Sequence, residues 1–186
     1  MKQVLIPLAQ GCEELEAVTL IDLLRRADIS VITAGLDDKA VICSRKTVII
    51  PDTTLDQVLN KEFDLIVLPG GLPGADNLRD DQRIIQLIKK QSENNKAVAA
   101  ICAAPKVLAE AGLLKNKKAT SFPNVLSSLS LTGTDITPDA IVEDGNIHTS
   151  RGPGTAMDFA LHLIELLSGS EAKARISQQM VRDDFS

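Results

Sequence analysis

The sequence predicts an α/β fold in which helices cover both faces of a mostly parallel sheet. Short apolar runs at 4–6, 30–35, 64–68 and 97–101 have the length and the flanking turns of buried strands. Segments with apolar residues at helical spacing alternate with these runs, which is typical of parallel sheets whose strands are joined by helices. The 186 residues contain no linker, repeat or low-complexity tract, so a single domain is expected.

In the first half of the chain, apolar runs mark the strands and glycine or proline turns mark their ends. Residues 41–43 and 48–50 are two such runs separated by only four residues, so they predict a small hairpin. The expected order is a strand at 4–6, a helix at 14–27, a strand at 30–35, the hairpin, a short helix capped by Thr53 or Thr54, and a strand at 64–68.

In the second half, helical spacing returns at 82–91 and the apolar run at 97–101 leads into a helix with Pro105 in its first turn. Residues 119–137 are rich in Ser and Thr and poorly patterned, which predicts a partly irregular connection. The remaining expected elements are a hairpin of 140–142 with 146–149 across Asp144-Gly145, a helix through Phe159, Leu163 and Leu167, and an amphipathic helix from Glu171 to about Val181.

Turn-rich segments follow four of these strands, at 10–13, 69–74, the corner at Cys102, and 150–155. In open parallel sheets ligands bind outside the carboxyl ends of the strands. We therefore expect the four segments to converge on one pocket.

Cys102 lies where the apolar strand changes abruptly into a helix. Its neighbours two places away, Ala100 and Ala104, are both small, which is the steric requirement of a nucleophile elbow. The helix start adds a positive dipole end and free N–H groups, so the thiol is expected to lose its proton more easily than free cysteine. A buried structural cysteine is an equally weighted interpretation of this stretch alone.

Glu16 projects into the middle of the apolar arc that Leu20, Leu23 and Leu24 form on the first helix. A carboxyl group aimed at the core must be protonated, hydrogen-bonded or paired, because a bare buried carboxylate is costly. The pattern alone favours the alternative, in which Glu16 bends to water from the first turn. In the functional interpretation Glu16 points at Cys102.

Val18 and Ile21 are apolar residues on the otherwise polar side of the same helix. They suit either a dimer contact or scattered surface positions, and the sequence favours scattered surface positions.

Charge and composition exclude several classes of protein. The net charge of −5 without a dense basic cluster argues against a general nucleic-acid binder, and no apolar run approaches the roughly 20 residues that span a bilayer. The three cysteines are odd in number and far apart, without a C-x-x-C pair. A disulfide framework or a zinc site is therefore not expected, and a reducing cytoplasm is the default location.

A cysteine hydrolase needs a histidine base beside its thiol, and the chain has only His148 and His162. His162 lies inside a helix, where a surface or locally satisfied role is expected. His148 could approach the pocket, but a solvent-facing strand position is the favoured prediction. Gly70 and Gly71 offer backbone N–H groups that could bind an oxyanion, although a Gly-Gly turn alone is weak evidence.

Four stretches taken together resemble the ThiJ/PfpI superfamily: GCEELEAV at 11–18, LPGG at 68–71, AAICAAP at 99–105 and TSRGPGT at 149–155. They occur in order over nearly the whole chain, and they are most similar to the branch of the Parkinson-disease (DJ-one) protein and bacterial YajL-like proteins. The resemblance implies one domain over 1–186, a flavodoxin-like three-layer α/β sandwich, and a homodimer.

The resemblance also implies roles for individual residues. Cys102 matches an easily oxidised cysteine, and Glu16 matches a protonated glutamate that hydrogen-bonds it. Gly70, Gly71 and Ala103 match the backbone donors that line the site.

Three further positions bear on the resemblance. Arg45 and Arg26 match arginines near the site and the dimer interface. Phe122 stands where several relatives have a pocket histidine, which argues against a mechanism that needs an imidazole and against protease activity.

The leading hypothesis is a cytoplasmic thiol enzyme that acts on small reactive aldehydes or glycated adducts and converts methylglyoxal to lactate. The resemblance implies that it uses neither a metal nor an organic cofactor. The alternative is a non-enzymatic redox sensor or redox-regulated chaperone, and the sequence does not separate the two. A biosynthetic role in thiamine or phosphopantoate metabolism is not favoured, because no phosphate site is evident beyond the Gly-Gly turn.

Overall fold

A seven-stranded sheet forms the centre of the computed structural model, which describes residues 1–182. The strands of these residues are β1 Gln3–Leu8, β2 Ser30–Gly35, β3 Val41–Ile42, β4 Val48–Ile49, β5 Thr53–Thr54, β6 Leu65–Leu68, β7 Ala97–Ile101, β8 Lys118–Ala119, β9 Asp135–Ile136, β10 Ile141–Asp144 and β11 Ile147–Ser150. The helices are α1 Glu14–Arg26, α2 Gly74–Asp80, α3 Gln82–Glu93, α4 Pro105–Glu110, α5 Ala156–Ser168 and α6 Ser170–Gln179, with short 3-10 turns at Leu55–Gln57 and Pro153–Thr155.

The strand order of the central sheet is β10-β11-β7-β6-β1-β2-β5. Every neighbouring pair is parallel except β10 with β11, which form an antiparallel hairpin at one edge. The α/β prediction with a mostly parallel sheet is therefore confirmed. The antiparallel edge arises because β10 and β11 are joined by a tight turn that is too short for a crossover helix.

Two apolar clusters cover the two faces of the sheet, which gives three layers. One cluster joins alternate strand residues such as Ile6 and Val67 to α1 and α5, and the other joins Ile66 and its neighbours to α3 and α4. Central strands that are buried on both faces consist of continuous apolar residues, which is why the four runs were visible in the sequence.

Most expected elements are found within a few residues of their predicted ends, and the hairpin β3–β4 is also confirmed. The short stretch at Thr53 and Thr54 differs from the prediction: these residues form the edge strand β5, and Thr54 makes no side-chain cap to the turn that follows. Helix α2 was not expected. Of the two apolar residues on the polar side of α1, Val18 is 49% exposed, whereas Ile21 is partly buried against the cluster that joins the sheet to α1 and α5.

The segment at 119–137 is largely irregular, as predicted, with β8 and β9 pairing over two residues. Within residues 1–182, no helix has both the length and the apolar character needed to cross a bilayer.

Candidate functional site

Cys102 occupies the corner between β7 and α4 in a left-handed backbone conformation, with φ of +63°. A non-glycine residue adopts this conformation at a cost of about 1–2 kcal/mol, so the surrounding structure must hold it. Its N–H donates to the carbonyl of Ser150 at 2.9 Å, and its carbonyl accepts from the N–H of Phe122 at 2.8 Å. Both backbone groups are thus fixed, and the expected sharp strand-to-helix corner is present.

The turn after β6 and the start of α1 meet this corner. Gly70 lies so close that a β-carbon there would stand 2.8 Å from the β-carbon of Cys102 and 2.8 Å from Oε2 of Glu16. The carbonyl of Gly70 accepts from the N–H of Glu13 at 2.9 Å, which draws the first turn of α1 over the glycine pair. The end of β6, the start of α1 and the Cys102 corner therefore meet, and Ser150 of the fourth predicted segment accepts a hydrogen bond from the corner.

Glu16 is completely buried in this arrangement. Its Oε2 accepts from the N–H of Gly70 at 2.8 Å, whereas Oε1 accepts no N–H or O–H from the described residues. The alternative in which Glu16 bends to water is therefore wrong.

Glu16 and Cys102 are close enough to shift each other's pKa. Burial raises the pKa of Glu16 to about 7, against the opposing effect of hydrogen bonds with Cys102 and Gly70. A carboxyl group with this pKa is protonated in about half of the molecules at neutral pH.

The pKa of the Cys102 thiol is raised to about 12 by burial, by the negative charge of Glu16 and by its hydrogen bond with that side chain. The N–H groups of Gly71 and Ala103 act in the opposite direction and lower it. The expected low thiol pKa is therefore wrong while Glu16 is ionised, because a six-residue helix does not outweigh burial and a facing carboxylate. Protonation of Glu16 removes its charge, so the two groups titrate as a coupled pair.

The three backbone N–H groups predicted to line the site do not all act on the same side chain. Gly71 and Ala103 serve the sulfur, whereas the N–H of Gly70 is committed to Glu16 and is not available as a donor to an oxyanion. This division depends on distances that a sequence does not contain.

The two arginines of the prediction lie on exposed surface rather than at the sulfur. Arg26 pairs with Asp22 on the exposed face of α1 at 2.7 Å. Arg45 is an exposed residue of the β3–β4 turn, and its backbone N–H donates to Glu14 at 2.9 Å. A third arginine, Arg151, lines a cleft of about 290 Å³ together with Phe122, and neither Cys102 nor Glu16 lines that cleft.

Glu13 is a site residue that the sequence analysis missed. Its carboxylate caps α1 by accepting from the N–H of Glu16 at 2.8 Å, and its charge contributes to the raised pKa of Glu16. Its position immediately before the first helical residue was the available signal, although glutamate is not among the usual capping residues.

The prediction that His148 faces solvent is wrong. His148 is 1% exposed instead of facing solvent, and its Nδ1 lies 3.1 Å from Nε2 of His162. Neither ring hydrogen-bonds the Cys102 thiol within residues 1–182. Among those residues the three-ligand group able to hold a metal ion is formed by Glu143, His148 and His162, away from the cysteine.

Comparison with known proteins gives a consistent result. Residues 2–166 match the DJ-1/PfpI family. The chain is 44% identical over 178 residues to protein DJ-1 homolog B of Arabidopsis thaliana, covering 95% of this chain and 40% of that protein, so it spans less than half of that relative's length. It is 42% identical over 181 residues to protein dj-1beta of Drosophila melanogaster, covering 97% of both chains.

The crystal structure of Drosophila DJ-1beta superposes with a TM-score of 0.92 over 97% of each chain. A third relative, 36% identical over 168 residues, is glutathione-independent glyoxalase DJR-1.2 of Caenorhabditis elegans, with 90% of this chain and 89% of that protein covered.

Proposed function

Because this chain belongs to the DJ-1/PfpI family, we propose that it is a cysteine-dependent enzyme that converts reactive carbonyls such as methylglyoxal to hydroxy acids. The name of the C. elegans relative, a glutathione-independent glyoxalase, supports this class of reaction. The observation that carries the proposal is the buried carboxyl group of Glu16, which faces the thiol of Cys102 with a pKa raised to about 7. Such a group can both accept and donate a proton at neutral pH.

The first step is attack of the Cys102 sulfur on the aldehyde carbon of methylglyoxal. A carbon–sulfur bond forms, the carbonyl π bond opens, and the aldehyde oxygen becomes an oxyanion that takes up the thiol proton to give a hemithioacetal. The N–H groups of Gly71 and Ala103 favour negative charge on the sulfur, and in this proposal they also stabilise the charge that passes to the oxygen. Cys102 is 8% exposed, against 0% for Cys12 and 1% for Cys43, so it is the most accessible of the three cysteines.

The second step moves hydrogen from the former aldehyde carbon to the neighbouring ketone carbon. Ionised Glu16 removes the proton from the hemithioacetal carbon, and the resulting enediol is reprotonated at the adjacent carbon to give a lactoyl thioester. One carbon is oxidised and the other is reduced within the same molecule, so the step needs no external electron acceptor. Water then cleaves the thioester and releases lactate with the free thiol.

The same sequence of steps applies to early adducts of methylglyoxal with thiols or amines. A hemithioacetal or aminocarbinol presents the same carbon after loss of its thiol or amine, so glycated adducts are proposed substrates beside the free aldehyde.

Lactate release from methylglyoxal tests the proposal directly. Cys102→Ser removes the nucleophile and Glu16→Gln removes the proton shuttle, so each is expected to lower turnover by at least about 100-fold. Cys43→Ser is the matched control, because Cys43 is a buried thiol outside the site and its loss is expected to leave turnover near that of the unmodified chain. Undiminished lactate from both site variants would eliminate the proposal.

A redox-sensing role is the second candidate function, and the exposure of the three thiols favours it specifically. Cys102 is 8% exposed, whereas Cys12 and Cys43 are 0% and 1% exposed. Oxidation would convert the Cys102 thiol to a sulfinate. Neutral Glu16 can donate a hydrogen bond to one oxygen of this sulfinate, and the N–H groups of Gly71 and Ala103 can also donate to it.

Intact-mass and peptide mapping after mild peroxide tests this second role. Two oxygens are expected on Cys102 before either other cysteine is modified. Comparison of aggregation suppression before and after oxidation then separates a redox-regulated chaperone from an enzyme, because an enzyme loses lactate release on oxidation without gaining suppression.

We further propose a homodimer that works in the cytoplasm. Turnover requires a reduced Cys102, which a reducing compartment supplies. A dimer is supported by half-exposed apolar residues on α1 and on the β3–β4 hairpin, such as Val18 and Val48.

A further inference from the structure

Three metal-ligating side chains from three different elements meet at the edge of the sheet. Glu143 lies on β10, His148 lies directly opposite it on β11, and His162 comes from α5. Nδ1 of His148 lies 3.1 Å from Nε2 of His162, and Oε2 of Glu143 lies 3.9 Å and 3.5 Å from those two nitrogens.

We propose that Glu143, His148 and His162 bind one divalent transition-metal ion of the zinc class. Zinc is held by imidazole nitrogen and carboxylate oxygen at about 2.0–2.2 Å, and two donors that share a tetrahedral ion at this distance are about 3.3 Å apart. The three separations of 3.1, 3.5 and 3.9 Å therefore allow all three atoms to reach one ion after movements of a few tenths of an ångström.

The protonation of the ligands suits a metal. Burial lowers the pKa of His148 to about 4, and burial likewise lowers the pKa of His162. At 3.1 Å, one of the two facing nitrogens carries a proton and donates a hydrogen bond to the other. When both nitrogens bind an ion, that proton moves to the far nitrogen of its own ring, so each histidine stays a neutral imidazole.

The composition of the group indicates which ions it takes. Two imidazoles with one carboxylate suit zinc, copper and nickel, whereas magnesium and calcium prefer oxygen ligands alone. The side chain of Glu143 is 52% exposed and that of His162 is 23% exposed, so an ion has a path from solvent and a water can complete the coordination.

The ion would tie the edge hairpin to α5 and would not take part in cysteine chemistry. His148 pairs in register with Ala99, three residues before Cys102, which places it about 10 Å from the cysteine along the strand. Lys173 and Glu165 of the neighbouring helices form an ion pair at 2.6 Å, so their charges offset each other. Glu143 therefore contributes most of the charge beside the two histidines.

Zinc affinity of the full chain, measured by competition with a chromophoric chelator, tests the proposal. His162→Ala and Glu143→Gln each remove one ligand, and each is expected to weaken zinc binding by at least about tenfold. Cys102→Ser, which changes a thiol outside the group, is expected to leave the affinity unchanged. Zinc is expected to raise the midpoint of thermal unfolding of the unmodified chain and of Cys102→Ser, but not that of His162→Ala.

Cobalt(II) supplies a spectroscopic test that a merely structural effect does not mimic. The bound ion should show visible bands of a tetrahedral nitrogen–oxygen site without a sulfur-to-metal charge-transfer band. Magnesium is the negative control and is expected not to compete. Zinc binding that persists in His162→Ala and Glu143→Gln, or that disappears in Cys102→Ser, would overturn the proposal.

Discussion

The reactivity of Cys102 depends on a second acid, because Glu16 and the thiol share one buried space. Burial raises the pKa of both groups, and the charge of either one opposes ionisation of the other. The N–H of Gly70 favours charge on the carboxyl group, and those of Gly71 and Ala103 favour charge on the sulfur. With a pKa of about 7 for Glu16 and about 12 for the thiol, the first negative charge of the pair resides on Glu16.

Replacement of Glu16 should change how stability depends on pH. A glutamate in an unfolded chain titrates near pH 4.3, whereas burial raises the pKa of Glu16 to about 7 in the folded protein. Its contribution to stability is therefore fully present below about pH 4.3 and is lost as pH rises to 7, at about 1.4 kcal/mol per pH unit.

Urea unfolding at a series of pH values measures this contribution. Relative to Glu16→Gln, the free energy of unfolding of the unmodified chain is expected to fall by roughly 3 kcal/mol between pH 4.5 and 7.5. Glu62→Gln, which alters a glutamate whose side chain is 89% exposed, should follow the unmodified chain at every pH. Parallel curves for Glu16→Gln and the unmodified chain would contradict the raised pKa.

Gly70 should not tolerate a side chain. A β-carbon there would meet the β-carbon of Cys102, Oε2 of Glu16 and the carbonyl of Ile101, each at 2.8 Å. Gly70→Ala is expected to lower the free energy of unfolding by about 1–3 kcal/mol and to reduce lactate release, because Glu16 and Cys102 are pushed apart. Gly154→Ala is the matched control, since a β-carbon there meets nothing within 4 Å. Equal stability and activity of the two variants would show that the close approach is not needed.

At this scale the sequence predicted which residues belong to the site better than it predicted what each does. The strand-to-helix corner weighed a nucleophile and a structural cysteine equally at Cys102, and the apolar arc alone favoured a water-facing Glu16. The resemblance to the superfamily assigned both residues to the site. The use of Gly70 by Glu16, the raised pKa of the thiol and the burial of His148 depend on distances between distant segments. No local pattern encodes such distances.

At the scale of elements, the first turn of α1 connects the site to its surroundings. Glu13 caps the helix, Glu16 points to Cys102, and Glu14 accepts from Ser44, Arg45 and Thr47 of the β3–β4 turn. Although burial opposes the shift, these hydrogen bonds and one from its own backbone lower the pKa of Glu14 to about 2. The acidic residues at the start of α1 therefore contact both the Cys102 site and the β3–β4 hairpin.

Glu14→Gln should loosen the hairpin without opening the site. The neutral amide is a weaker acceptor than the carboxylate, so the N–H groups of Arg45 and Thr47 are expected to exchange with deuterium several-fold faster. The N–H of Gly70, which donates to Glu16, should keep its protection and serves as the internal control. Unchanged exchange at Arg45 and Thr47, or equal loss of protection at Gly70, would contradict this separation.

The same physical reason explains why β5 and α2 were not predicted from the sequence. β5 has two residues, which are too few for any periodicity, and it exists because it pairs with Ala34 and Gly35 at the sheet edge. α2 begins at Gly74 directly after Pro73, so its first turn has the composition of a loop. Long apolar elements are visible in the sequence because burial dictates their pattern, whereas short ones depend on their neighbours.

For the whole molecule, the surface around α1 and the hairpin has apolar residues that a monomer would leave in water. Leu15 and Val18 are 52% and 49% exposed one helical turn apart. Ile42 and Val48 are cross-strand partners in the hairpin and are 51% and 58% exposed. Glu14 joins the two elements, so a second copy of the chain seated on this face would bury all four residues and would also brace the helix that carries Glu16.

Val18→Lys should therefore convert the proposed dimer to a monomer. A lysine at the centre of an apolar interface leaves a charge without a partner, which costs more than the contact contributes. Light scattering after size-exclusion chromatography is expected to give twice the chain mass for the unmodified protein and a single chain mass for the variant. Leu166→Lys changes a comparably exposed apolar residue on α5, 42% exposed, and is expected to stay dimeric. A dimer that survives Val18→Lys but not Leu166→Lys would show that the interface lies on α5.

If the α1 face is the interface, the monomeric variant should also lose lactate release, because the first turn of α1 then lacks the support that keeps Glu16 against Cys102.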